Sequence, residues 1–180
     1  MDHNRIEEIC MEKVLIISDS HGLTTELKSL TEKYASYTVI HCGDSELTIG
    51  DPVINNMHVV RGNCDFDQNM PDEKVISVAG VNIFVTHGHL YGVGRDLTTL
   101  SYKASEYDAQ IVCYGHTHQA RAEKIGNQIF INPGSIRSPR DRKEKTYAIL
   151  TIEDGKHIQV EFHTTDGQIL NELSFSDTLS

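Results

Sequence analysis

The 180-residue chain sets 16 Lys and Arg against 26 Asp and Glu, a formal net charge of -10 with histidine neutral. That balance argues against a general nucleic-acid surface, which gains affinity by placing clustered Lys and Arg against phosphates. Hydrophobic residues make up 38% and charged residues 23%, with 13 Gly and 4 Pro, so a folded domain large enough to bury a core without staples is expected.

The cysteines Cys10, Cys42, Cys64 and Cys113 form no C-x-x-C pair and no secreted framework, and nothing at the N-terminus resembles a signal peptide. A reducing cytoplasm is the expected location. No apolar run reaches the ~18 residues that cross a bilayer, so a membrane is not an expected partner. Residues 1–12 read as a polar N-terminal extension, disordered or a short helix, and residues 166–180 as a flexible tail. No repeat or linker divides the chain, and one domain over residues 1–180 is assigned.

In chain order, Val14 to Ser18 is a continuous apolar run, as for a strand buried on both faces. It leads through Asp19-Ser20-His21-Gly22 into a helix over Thr24 to Tyr34. Short strands are predicted at Tyr37 to His41 and Met57 to Val60. Lys74 to Val78 and Val81 to Thr86 flank Ala79-Gly80 as a hairpin. A helix over Asp96 to Glu106 precedes a buried strand at Ile111 to Tyr114. Two further hairpins follow: Ala120 to Ile125 with Gln128 to Ile131 around Gly126-Asn127, and Thr146 to Ile152 with Ile158 to His163 around Asp154-Gly155. The C-terminal third should therefore be antiparallel. The expected architecture is α/β, two mixed sheets packed face to face with helices outside, with a single mixed sheet as the alternative.

Polar clusters fall just after five of these strands: Asp19 and His21, Asp44, Asn63, His87, and the pair His116 and His118. Ligands of open α/β sheets bind outside the carboxyl ends of the strands, where residues distant in sequence converge. Carboxylate, amide oxygen and imidazole suit hard or borderline divalent metals, and no thiolate cluster competes. This donor set exceeds one tetrahedral ion, and two ions sharing the Asp44 carboxylate would use it. Taken singly, Asp19 reads equally as a helix cap, Asp44 and Asn63 as turn residues, and each histidine as structural. Their shared position at strand ends decides for one site. Bound cations would also attract a phosphate to an otherwise acidic chain.

Asp19-x-His21, Gly43-Asp44, Gly62-Asn63-Cys64-Asp65, Thr86-His87-Gly88-His89 and Gly115-His116-Thr117-His118 together resemble the five ordered motifs of the calcineurin-like metallophosphoesterase superfamily. The resemblance spans about Val14 to His163 and implies the αββα sandwich. It also implies that Asp19, His21 and His118 hold one ion, Asn63, His87 and His116 the other, and that Asp44 bridges them. Many members carry histidine where Cys64 stands, a group thought to protonate the leaving group. A neutral thiol does not replace it, and Cys64 reads as a small packed thiol rather than an acid or nucleophile.

The Gly-Asn-Cys-Asp variant and the short length resemble the small YfcE-like phosphodiesterases. That resemblance implies a phosphodiesterase acting on a small phosphate ester through a metal-bridging hydroxide. It also implies two divalent ions, manganese first, with nickel, zinc, iron, cobalt or magnesium as alternatives, and leaves homo-oligomerisation open. Asp65, His89, Asn132 and Arg137 are candidates for substrate contacts or for supporting the ligands, with turn or solvated roles as the plain alternatives. The competing functions are a phosphomonoesterase on the same site, a protein-interaction scaffold of the same fold, and a metal-binding regulatory protein without turnover.

Overall fold

Alternation along the first strand sets the layering. In the computed structural model, which describes residues 8–180, strand β1 spans Met11–Ile17. Its Val14 and Ile16 enter one apolar cluster, while Leu15 and Ile17 enter another on the opposite face. A strand with large apolar residues on both faces must be covered on both. A second sheet covers one face, and helix α1 (Thr25–Lys33), through Leu27 and Leu30, covers the other.

The first sheet has six strands. Strand β2 (Thr38–His41) pairs in parallel with β1, and β3 (His58–Val59) in parallel with β2. The second sheet begins with the antiparallel hairpin of β4 (Glu73–Val78) and β5 (Val81–Thr86), turned by Ala79 and Gly80, both at positive φ as a two-residue primed turn requires. Helix α2 (Thr98–Ser105) follows, and then β6 (Ile111–Cys113), parallel to β5. The β7 (Arg121–Ile125) and β8 (Gln128–Asn132) hairpin adds β8 parallel to β6. Finally β9 (Thr146–Glu153), β10 (His157–Thr164) and β11 (Phe175–Thr178) extend the first sheet antiparallel, giving the orders β11-β10-β9-β1-β2-β3 and β4-β5-β6-β8-β7.

Phe84, Val112 and Phe130 face away from the shared core and pack under Leu100 and Ala104 of α2. The result is an α/β fold of two mixed sheets flanked by helices, the αββα layering rather than a single sheet. The helix bounds differ modestly from expectation. The Asp96 carboxylate accepts the Thr98 N–H at 2.9 Å, an Asx turn that holds the chain out of helix until Thr98.

Larger differences occur at the ends. Residues 11 and 12 belong to β1 rather than to an extension, and the remainder of that expectation falls partly on residues 1–7, outside the described residues. The segment read as a tail runs back along β10 as β11 and buries Leu179 in the inter-sheet core. Among the described residues, no helix is long and apolar enough to cross a membrane.

Candidate metal centre

The parallel strands β1, β2 and β3 of one sheet and β5 and β6 of the other deliver their carboxyl ends to one place. Asp19 and His21 follow β1, Asp44 follows β2, Asn63 follows β3, His87 follows β5, and His116 and His118 follow β6. Asp19, His21, Asp44, His116 and His118 are all left-handed, with φ from 43° to 70°. Such non-glycine conformations cost on the order of 1–3 kcal/mol each and persist where surrounding structure enforces them.

Two glycines permit the crowding. A Cβ on Gly115 would lie 2.1 Å from Ser18 Oγ and 2.6 Å from Asp19 Oδ2, and one on Gly62 would lie 2.0 Å from Asp44 Oδ1. Ser18 Oγ and the His116 N–H donate to Asp19 Oδ2, at 2.5 and 3.2 Å. The Cys64 N–H donates to Asp44 Oδ1 at 2.8 Å. Each carboxylate thus has one oxygen anchored and the other turned inward.

The inward oxygens meet imidazole nitrogens. Asp19 Oδ1 lies 3.1 Å from His118 Nε2, 3.8 Å from His87 Nε2 and 3.9 Å from His21 Nε2. Asp44 Oδ2 lies 3.2 Å from His87 Nε2 and 3.9 Å from His21 Nε2. Asn63 Oδ1 lies between His87 Nε2 at 3.1 Å and His116 Nδ1 at 3.0 Å. All the predicted ligands are therefore brought together, and the Asp19 and Asp44 carboxylates each approach more than one imidazole.

The far ring nitrogens reveal what the site suits. His87 Nδ1–H donates to the Cys42 carbonyl at 2.7 Å, His118 Nδ1–H to the Ser138 carbonyl at 2.7 Å, and His21 Nδ1–H to Glu46 at 2.8 Å. These bonds fix the tautomers so that neutral rings aim Nε2 lone pairs at carboxylate oxygens. Asp19 Oδ1 is correspondingly buried without a hydrogen-bond donor. Lone pairs facing carboxylates are reconciled only by an added proton or by a cation, so the donor set fits divalent metal ions. Asp19, His21 and His118 form one group able to hold an ion, and Asp19, Asp44 and His87 another.

Protonation follows the same logic. Burial opposes ionisation of Asp19 and Asp44, yet the facing histidines and fixed donors hold both carboxyls below the usual range. The hydrogen bond to Asp19 raises His118. In His87 the pull of Asp44 and Asp19 outweighs the opposing effect of burial.

The remaining sequence candidates resolve differently. The buried Asp65 carboxylate accepts the N–H groups of Asp44 (2.8 Å), Glu46 (2.7 Å) and Gly62 (2.7 Å), and so holds the backbone around Asp44. Asn132, also buried, donates to the Gly115 carbonyl and Thr117 Oγ1 and fixes the loop carrying His116 and His118. Arg137 Nη1 donates to the His21 carbonyl at 2.6 Å at the rim of an open groove shared with His21, Glu46, His118 and Arg140. His89 begins a 3-10 turn, its ring centroid 5.3 Å from that of His87. Burial and the charges of His87 and His116 lower its pKa.

Cys64 is not packed away. Its Sγ groups with His21 and Asp44 within 4.8 Å, because its backbone bond to Asp44 turns the residue toward the cluster. Burial, then the Asp44 charge, pushes its thiol up to about 11.

Sequence reasoning missed Glu46 and His41, and it placed Ser135 only in a loop, Asn132 to Ser135, close to the site. Ser135 Oγ donates to the Asp19 carbonyl at 2.8 Å and accepts the N–H groups of Arg137 and Ser138. Fully buried His41 accepts the Gly43 N–H at Nδ1, so its Nε2–H donates to Ser20 Oγ at 2.8 Å. Burial pulls its pKa down to about 4. A depressed histidine contributes stability that is complete above its unfolded value of about 6.5 and lost as pH falls through about 4. The expected contribution is roughly 3 kcal/mol, so urea unfolding of His41→Gln between pH 7 and 4 should fall less steeply than that of the unaltered protein. Equal slopes would refute it.

Residues 12–155 match the Calcineurin-like phosphoesterase superfamily domain. A probable metallophosphoesterase of Bacillus subtilis, YsnB, is 42% identical over 168 residues, 92% of this chain and 99% of that protein. A crystal structure of a conserved uncharacterized protein from Streptococcus pneumoniae, described as a predicted phosphoesterase, aligns with a TM-score of 0.89 at 34% identity. That alignment covers 94% of this chain and 98% of the other. The phosphoesterase Yfce of E. coli, at 21% identity and a TM-score of 0.62 over 93% of this chain and all of its own, shares the fold. The profile match and the two nearer relatives agree with a His and Asp cluster able to bind metal, and the chain belongs to the calcineurin-like phosphoesterase superfamily.

Proposed function

We propose that the chain is a cytoplasmic, divalent-metal-dependent phosphodiesterase acting on a small phosphate ester. The observation that carries this reading is the facing of Asp19 and Asp44 by imidazoles whose other ring N–H groups are already committed. Asp19, His21 and His118 would hold one ion and Asn63, His87 and His116 the other, with Asp44 shared and manganese favoured. When bound, two such ions would polarise a phosphoryl group and acidify water.

The chain's own residues account for the rest. The Asp65 and Asn132 networks fix the ligand loops before substrate arrives, which is where preorganised electrostatics gains its effect. Exposed Arg137 and Arg140 flank the groove and offer planar donors to phosphate oxygens. A Cys64 thiol with a pKa near 11 is a weak acid, and His89 is held in its neutral form, so neither side chain readily protonates a leaving group. Esters with good leaving groups should be favoured, and the choice of diester over monoester rests on the resemblance of Gly62-Asn63-Cys64-Asp65 to the small phosphodiesterases.

The test is hydrolysis of bis(p-nitrophenyl) phosphate and p-nitrophenyl phosphate by metal-stripped protein resupplied with manganese, nickel, magnesium or zinc. Metal-dependent cleavage favouring the diester is expected. A preference for the monoester would replace the diesterase by a monoesterase. Stoichiometric metal binding with no turnover would overturn the enzymatic reading and favour a scaffold or regulator.

A further inference from the structure

The groove lined by His21, Glu46, His118, Arg137, Ser138 and Arg140 lies beside the candidate metal centre rather than inside it. Glu46 and the Ser138 carbonyl meet the Nδ1 edges of His21 and His118, at 2.8 and 2.7 Å, whereas the Asp19 and Asp44 carboxylates face the Nε2 edges. The two rings therefore separate the groove from the ligand cluster. An anion seated in the groove is a different group from a phosphate lying against the Asp and His cluster.

Charge decides what the groove suits. The chain carries a formal net charge of -10, yet here two guanidinium groups face one carboxylate, and that carboxylate is engaged by His21. Three other arginines are neutralised locally: Arg61 by Asp72 at 2.8 Å, Arg121 by Glu123 at 3.0 Å and Arg142 by Asp141 at 3.4 Å. Among the described residues, neither Arg137 nor Arg140 is paired with a carboxylate. Exposed guanidinium groups in this state present planar donors that match phosphate oxygens.

The segment that carries them is fixed. Ser135 Oγ donates to the Asp19 carbonyl, and Ile136 is buried under the first sheet. Arg137 Nη1 donates to the His21 carbonyl at 2.6 Å, and the Arg140 N–H donates to the His118 carbonyl at 3.1 Å. Both arginines are thus held in register with the loops bearing the proposed ligands, so their ordering costs little when an anion binds.

We propose that this groove is a subsite for a second phosphate group carried by the substrate, which is therefore an ester with two phosphates. The assignment rests on the phosphoesterase reading for the phosphate at the Asp and His cluster. It adds the chemical class of the group attached. At about 490 Å³ the groove lies within the usual range for small-molecule sites, ample for a phosphate and its linker.

The experiment measures binding of methyl phosphate and of ethanediol, propanediol and butanediol bisphosphates to the manganese-loaded full chain by titration calorimetry. Each ligand can place one phosphate at the metal centre, and the flexible spacers let the second reach the groove, so the affinity ratio of the best bisphosphate to methyl phosphate reads the subsite. The unaltered protein should prefer a bisphosphate. Arg140→Gln should lower the ratio roughly tenfold, the lower end for a hydrogen bond to a charged group, because the groove is open to water. The Arg140 side chain is the one to change first, since that of Arg137 also holds the His21 carbonyl. Arg121→Gln, which removes the same charge from β7, should leave the ratio unaltered. If Arg140→Gln weakens methyl phosphate and the bisphosphate alike, the guanidinium serves the phosphate at the metal centre and the subsite is overturned. An equal drop in Arg121→Gln would reduce the preference to general charge attraction and overturn it too. Two methyl phosphates bound per chain, with no gain from tethering, would make the groove a site for free phosphate and overturn the substrate assignment. Binding of no ligand by the unaltered protein would overturn the phosphoesterase reading as well.

Discussion

Replacement of Asp44 by Asn should reduce metal-dependent phosphodiester turnover roughly a thousandfold or more, since metal stabilisation of the transition state is worth several kcal/mol. The substitution keeps size and one carbonyl-type oxygen, so the Cys64 N–H can keep an acceptor and the fold should survive. What is lost is the charge on the oxygen facing His87 at 3.2 Å. His87 cannot compensate, because its Nδ1–H is bound to the Cys42 carbonyl and its Nε2 points at the same oxygen. Manganese binding measured by calorimetry should weaken in parallel. Near-normal turnover together with near-normal metal affinity would remove Asp44 from the proposed centre.

The fold was legible where a residue's neighbours on the strand declare its surroundings. Val14 to Ile17 is apolar at every position, and that run required cover on both faces, which the second sheet and α1 supply. The Ala79-Gly80 hairpin was equally plain. In β11, by contrast, the register is set by Ile158 and Val160 of β10, and Phe175-Ser176-Asp177-Thr178 carries too little apolar signal to announce a strand. β3 shrinks to His58–Val59 because only those residues pair with β2.

The site shows the same division. The proposed ligands stood out because their chemistry restricts residue type and because each follows a strand. Their supports act across the fold. Ser135 reaches the Asp19 carbonyl and Glu46 reaches His21, and no local pattern marks either pairing. Cys64 was misplaced for a related reason. Its type suggested a packed thiol, but the backbone bond to Asp44 turns it toward the cluster.

Asp65 is the support whose removal should be felt most widely. Its carboxylate accepts three backbone N–H groups in a buried setting, and each such charge-assisted bond contributes about 1.5–3 kcal/mol. Allowing for relaxation and access of water to the loop, Asp65→Ala should cost about 4 kcal/mol in unfolding free energy, at the upper end for single substitutions. For a chain of this size that corresponds to a fall in Tm of roughly 8–16 °C. Asp65→Asn should be intermediate. One oxygen can still serve Asp44 and Gly62, whereas the amide NH2 would face the Glu46 N–H, two donors without an acceptor. Because Asp44 and Glu46 both lose their anchor, manganese affinity should fall by about 10- to 100-fold even below the melting transition. A variant that melts within a degree or two of the unaltered protein, yet binds manganese normally, would show that the loop around Asp44 is held by something other than Asp65.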